Sequence, residues 1–215
     1  MRRFDPEDFP DLAVSILGGR VLHVVLDRPH KKNAIGVDMT LSLERVFQRL
    51  ESTEQIKVVV IEGAGGNFSA GMDMRDFFST SDRAPEQIAR ARQATDHWRA
   101  RQIRNLRQSL YCVVRGYCLG GALPLVEAAD WSVATDDAIF GLPEINFNFV
   151  PGGPIAKSIG LGMSAKGGRY AALSGRNFSA QQALQWGLIN EISPSNDASA
   201  HVINHALQLA AVQAG

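Results

Sequence analysis

Cysteine is scarce in this chain: Cys112 and Cys118 are its only two. They form no CxxC pair, have no histidine cluster beside them and cannot make a disulfide framework. They fit small core residues in a reducing compartment, and a cytoplasmic location is the expectation. An excess of charge is also missing, because 22 basic residues cancel 22 acidic ones. No global field therefore favours nucleic acid or a membrane surface, and neither is expected as a partner. No apolar run approaches the roughly 20 residues of a bilayer span. The opening MRRFDPEDFPDLAV has no apolar signal core, so no secretory leader is expected. A phosphate loop and a G-x-S-x-G elbow are absent as well. His201 and His205 stand four apart, but two histidines at that spacing do not by themselves spell a zinc site.

What is present is an alternation of strand-like and helix-like segments. LAVSILGGRVLHVVLDRP reads as a hairpin turning at Gly18-Gly19. MTLSLERVFQRLES puts Leu43, Val46, Phe47 and Leu50 on one helical face. KVVVIEG, YCVVRG and WSVATDD are short apolar strands of the kind covered on both faces. The pattern predicts an α/β domain with a largely parallel sheet, and 215 residues suffice for one core. A segment from Pro85 to Arg107 carries Arg90, Arg92, Arg99, Arg101, Arg104 and Arg107. Arginines spread in this way are expected on a solvated face, with contact to a ligand's phosphates as the alternative.

Two strand ends carry glycines. KVVVIEGAGGNFSAGMD departs from a dinucleotide fingerprint, since Phe68 takes the third glycine position and no helix follows at once. The second stretch, GYCLGGALPLVEAAD, places Gly120-Gly121 before an apolar helix with Pro124 in its first turn. First-turn N–H groups lack intrahelical partners, and glycine lets another group approach the backbone. Each cluster alone reads as a tight turn. Together they offer two backbone amides that can meet at one oxygen, as an oxyanion hole does.

Ser69-Ala70-Gly71-Met72-Asp73, G-Y-C-L-G-G at 116–121, and F-G-L-P-E-I-N at 140–146 followed by V-P-G-G resemble the crotonase (enoyl-CoA hydratase/isomerase) superfamily. So do D-R-P-x-x-x-N-A at 27–34 and A-x-x-W-G-L-I-N-E at 183–191. The resemblance implies a spiral of ββα units and a coenzyme A thioester substrate, with no permanently bound cofactor. It assigns the N–H groups of Met72 and Gly121 to the thioester oxygen, and Glu144 to proton transfer. Taken without the resemblance, Glu144 reads equally well as an N-cap-like or ion-paired loop residue. Pro124 stands where the family's hydratases carry a second glutamate, leaving one carboxylate. Glu127, a helical turn or about 5 Å further on, is expected to be a polar residue near the surface.

The wording AGMDMRDFF is most similar to hydroxycinnamoyl-CoA hydratase-lyases, which hydrate an aryl-propenoyl-CoA and then cleave it to an aldehyde and acetyl-CoA. Phe77 stands where those enzymes have a tyrosine, and Pro124 where they have a serine. Ala70, Asp73, Phe77, Gly120, Pro124 and Phe147 are thereby expected around the substrate, with Phe149 as a further wall or core residue. Lys31 and Lys32 are placed near the coenzyme's phosphates, and Pro151, Gly152 and Gly153 along the site wall. The domain expectation is a core over residues 1–195 and the start of a C-terminal helical region over 196–215. The family's pattern implies a homotrimer or a dimer of trimers. Other crotonase chemistry, or an inactive CoA-binding subunit, are the alternatives.

Overall fold

Leu12–Leu17 (β1) and Val21–Leu26 (β2) pair antiparallel, with Leu12 opposite Leu26. The turn holds three residues rather than the expected two, because Arg20 N–H closes back on Leu17 O at 3.2 Å. Gly18 and Gly19 both have positive φ there, which explains the glycine pair. The computed structural model describes residues 4–77, 82–149, 151–152, 160–194 and 197–213.

Val37–Glu51 (α1) follows, and its Leu43, Val46, Phe47 and Leu50 are all buried, as their spacing predicts. Next come Val58–Gly63 (β3), the short Met74–Phe77 (α2) and Pro85–His97 (α3). The arginine-rich segment then widens into a π-helical turn over Trp98–Gln102. Ser109–Val114 (β4) leads through Gly116 into Tyr117–Leu119 (β5) and then Leu123–Glu127 (α4). The chain continues through Trp131–Thr135 (β6), Ile139–Gly141 (β7), Ala165–Ser174 (α5) and Phe178–Ser179 (β8). It finishes in Ala180–Trp186 (α6), Glu191–Ser193 (β9) and Ala198–Val212 (α7).

The main sheet runs β1-β2-β3-β4-β6-β9 and is parallel from β2 onward, as the apolar strand runs imply. Successive strand residues point to opposite faces, so each strand feeds two layers. Leu22, Val24, Val59 and Ile61 join α1 in the larger core, while Val21, Val58 and Val60 meet Ala198, Val202, Ala206 and Ala210 of α7. The last helix is therefore packed onto the sheet rather than standing apart from it. A second sheet, β5-β7-β8, sits where the sequence shows only loops.

Glu127 departs from its expected surface position. Its side chain is 4% exposed and pairs with Arg104 at 2.5 Å. Replacing Glu127 with alanine is expected to cost about 3 kcal/mol, the low end for a broken buried pair because Arg104 keeps some contact with water. Urea unfolding of the two proteins measures it.

Candidate active site

The site begins in the DRPHKKNA segment. Asn33, fully buried and with φ of 54°, accepts from Arg28 N–H at 2.9 Å and donates to Ala64 O and Asn67 O at 2.8 and 2.7 Å. Ser69 Oγ donates to Asn33 O at 2.7 Å and accepts from Gly71 N–H at 3.1 Å. One asparagine thus fixes the glycine loop that follows β3. The sequence shows Asn33 and Arg28 only as motif letters, because the contacts that tie them to the glycine loop, with Ala64, Asn67 and Asp73, lie about thirty residues or more away.

Two registers then bring the glycine segments together. Ser69 pairs parallel with Cys118, so residues 70–73 and 119–122 leave the pairing side by side. Ile35 N–H donates to Gly71 O at 2.8 Å and Asp73 N–H to Ile35 O at 3.0 Å, in a parallel bridge centred on Met72. Met72's own N–H therefore points away from Ile35. At Gly71, where φ is +89°, an added Cβ would fall 2.6 Å from Leu119 O and 3.5 Å from Gly121 N. The loop needs glycine because the facing backbone leaves no room.

The second register places Glu144. Leu119 of β5 lies opposite Gly141 of β7, so the turns that follow, Gly120–Ala122 and Pro143–Phe147, emerge next to each other. A Cβ on Gly120 would sit 2.7 Å from Glu144 Oε1. Glu144 Oε2 is buried without a hydrogen-bond partner. Burial pushes this carboxyl's pKa up, against smaller downward pulls from a backbone hydrogen bond and from the positive charge of Arg99. No ion pair among the described residues includes Glu144, which removes the ion-paired alternative. Pro124 is buried within the first turn of α4 and contributes no proton donor or acceptor.

The remaining expected residues separate into groups. Ala70, Met72, Asp73 and Lys31 line one cleft of about 290 Å³, together with Ala34, Met74 and Arg75. Asp73 is 7% exposed, with Arg28 at 3.2 Å and Lys31 at 3.0 Å, and it also accepts from Arg75 N–H. These cations hold its pKa below the usual carboxylate value, although burial alone would raise it. Lys32 lies over the Tyr117 ring at 4.5 Å, on the outside of the same loop. Phe77 is buried against Val37 and Ala91, with Met72 packed on that cluster. Phe147 and Phe149 are exposed, so they are not core residues. Pro151 is buried and Gly152 exposed, while Gly153 lies outside the described residues.

The arginine helix is less uniform than a solvated face. Arg90 pairs with Glu44, Arg92 donates to Phe77 O, and Arg104 holds Glu127. Arg99 is 4% exposed, and its Nη2 donates to Gly121 O at 2.5 Å and to Met72 Sδ at 2.8 Å. His201 and His205 pack on Trp131, and His201 meets the Glu191 carboxylate at 3.2 Å, a partner its sequence neighbourhood does not show. Among the described residues no group of three or more potential ligands forms a metal site. No helix of the described residues is long and apolar enough to cross a membrane.

Comparison with known proteins agrees with this architecture. The enoyl-CoA hydratase/isomerase family model matches residues 18–214. The chain belongs to that family. A hydroxycinnamoyl-CoA hydratase-lyase of Pseudomonas fluorescens is 31% identical over 175 residues, covering 81% of this chain and 63% of that protein. A 2,3-dehydroadipyl-CoA hydratase of Escherichia coli is 31% identical over 199 residues, covering 91% and 72%. A mevalonyl-coenzyme A hydratase of Aspergillus fumigatus is 30% identical, and the chain spans 65% of its length. The solved structure of Pseudomonas aeruginosa AtuE superposes with a TM-score of 0.83 at 27% identity, over 93% of this chain and 76% of that one. Human enoyl-CoA hydratase domain-containing protein 3 gives 0.83 at 24% identity, over 94% and 78%, a likeness of fold.

Proposed function

We propose that this chain acts on an aryl-propenoyl-CoA thioester as a hydratase-lyase, with Glu144 as its single acid/base. The observation that carries the proposal is the buried, unpartnered Oε2 of a Glu144 carboxyl whose Oε1 lies against Gly120, at the turn that faces the Gly71–Met72 loop. The Met72 and Gly121 N–H groups receive the thioester oxygen. Glu144 takes a proton from water as its oxygen adds to C3, while the electron pair moves to the thioester oxygen as an enolate. The protonated Glu144 then delivers that proton to C2. In the second half, Glu144 removes the C3 hydroxyl proton, the C2–C3 bond breaks, and C3 leaves as an aromatic aldehyde. The enolate of acetyl-CoA collects a proton at C2 from Glu144. A carboxyl whose pKa burial has raised suits a group that must both give and take a proton.

Supporting features are distributed around this centre. Pro124 replaces a second carboxylate, so water has a single activating group. Phe147 presents exposed apolar surface for an aromatic acyl group, and Phe77 lies in the buried cluster on which Met72 packs, with no hydroxyl to bind a phenol. Lys31 and Lys32 flank the loop on the side assigned to the coenzyme's phosphates. Coenzyme A enters as part of the substrate, and the reaction needs no permanently bound cofactor. The same proposal includes a cytoplasmic enzyme, a homotrimer or dimer of trimers, a 1–195 core and a C-terminal helical region from 196. Neither nucleic acid nor membrane is a partner in it.

The test is product analysis by mass spectrometry with p-hydroxycinnamoyl-CoA and crotonoyl-CoA in parallel. Aldehyde and acetyl-CoA from the aromatic thioester are expected. Hydration of crotonoyl-CoA alone assigns a one-carboxylate hydratase instead, and no turnover of either overturns both.

A further inference from the structure

Arg99 is a buried charge that these steps leave unused. It lies in the π-helical turn Trp98–Gln102, whose wider winding brings Trp98, Arg99 and Gln102 all inside. Such turns inside α-helical segments recur at functional positions. Its Nη2 touches both halves of the candidate site, Met72 Sδ at 2.8 Å and Gly121 O at 2.5 Å. A Cβ on Gly121 would come within 2.5 Å of the same nitrogen and 2.8 Å of Met72 Cγ. The guanidinium has no carboxylate in ion-pair contact among the described residues, and its Nε is buried without a partner. Asp96 and Glu144 act on it only from a distance, and burial lowers its pKa to about 10, so it stays charged at neutral pH.

An unpaired buried guanidinium is costly to keep. Glu144 cannot neutralise it throughout the reaction, because each proton that Glu144 takes removes its negative charge. The charge that does develop beside Arg99 is the enolate oxygen, at the N–H groups of the two residues it touches. Fixed positive charge aimed at such a position in a site closed to water is worth more than it would be in solution.

We propose that Arg99 is the positioning and electrostatic residue of the thioester site: it ties the Met72 loop to the Gly121 turn and holds positive charge behind the enolate oxygen. This rests on the assignment of the Met72 and Gly121 N–H groups to the thioester oxygen. Arg99 acts through those two residues and the field it sets, without itself contacting the substrate.

The test uses 4-(dimethylamino)cinnamoyl-CoA, whose absorption moves to the red when its thioester oxygen is polarised, read by stopped flow before this aryl-propenoyl thioester is turned over. Wild type is expected to show that shift on binding. Arg99→Gln is expected to lose most of it and about 10–100-fold in kcat, with a dissociation constant within about threefold of wild type because CoA contacts lie elsewhere. Arg99→Lys keeps the charge and is expected to keep at least half of the shift. A folded Arg99→Gln, by near-ultraviolet circular dichroism, with the full shift and full kcat overturns the proposal. If Arg99→Gln does not fold, Arg99→Lys decides, and complete loss of the shift there overturns it. Binding without any shift in wild type contradicts the oxyanion assignment itself, which separates that failure from this one.

Discussion

Replacing Glu144 with glutamine is expected to lower kcat by about 10³-fold, within the range for loss of a positioned acid/base group. Glutamine keeps the shape and one acceptor oxygen, so the Gly120 contact survives and only proton transfer is lost. KM should change little, since the proposed site gives the thioester oxygen and the coenzyme to other residues. The same variant should be more stable than wild type at neutral pH. Burial raises the folded-state pKa of Glu144 above its unfolded value. The group therefore favours folding most below the unfolded pKa, and that contribution fades as pH rises through the folded pKa. Glutamine is never charged, so the thermal-unfolding advantage of the variant should be present at pH 7 and close toward about pH 4. A variant that is both less active and more stable is the signature of a group kept for chemistry. Lower stability at neutral pH would instead make Glu144 a structural residue.

Gly71→Ala should produce the next largest effect, through geometry rather than proton transfer. Its φ of +89° disfavours any L side chain, and the new methyl would meet Leu119 O at 2.6 Å. That oxygen belongs to the backbone just before Gly120-Gly121, so it cannot swing aside as a side-chain tip would. The two loops must separate, which would move Met72 N–H away from Gly121 N–H and break the proposed oxyanion pair. A fall of about 10²–10³ in kcat is expected, the usual consequence of losing one oxyanion donor. Gly66→Ala is the control: it also has positive φ, at +79°, but nothing lies within 4 Å of its Cβ position. It should destabilise modestly and leave kcat near wild type. Equal losses in both variants would mean that backbone strain, and not the approach of the loops, sets the rate.

The parts of this fold that the sequence announces are those with period and length. The β1–β2 hairpin, α1 and the apolar strands β3, β4 and β6 declare themselves through alternation, helical spacing or unbroken apolar runs. The second sheet does not, because β5, β7 and β8 are only three, three and two residues long. Too few side chains alternate in such strands to leave a pattern. Yet that sheet aligns the Gly120 and Glu144 turns: the glycine pattern points to Gly120, and only the motif resemblance points to Glu144.

Charge was the least legible property. Six arginines between Pro85 and Arg107 look alike in one dimension, and a 3.6-residue period through that stretch gives no reason to single out Arg99. The π-helical turn changes the phase and carries Arg99 inward. Glu127 was similarly hidden, since its partner Arg104 precedes it by 23 residues and reaches it only across the packed helices. Asp73 illustrates the opposite case: its motif was visible, but its clamp between Arg28 and Lys31 was not. Pro124 needed no structure, because a residue without a titratable group cannot carry a proton wherever it is placed.

The central claim is that one carboxyl, Glu144, moves protons at C2 of a thioester whose oxygen is held between the Met72 and Gly121 amides. Its most direct measurement is turnover of p-hydroxycinnamoyl-CoA in D2O, followed by mass analysis of the acetyl-CoA released. Hydration places one deuterium on C2 and cleavage places a second, so doubly deuterated acetyl-CoA is expected from wild type, and its release about 10³-fold slower from Glu144→Gln. Doubly deuterated product formed at an unreduced rate by the Glu144→Gln protein would contradict the account, because some other group would then be moving the protons.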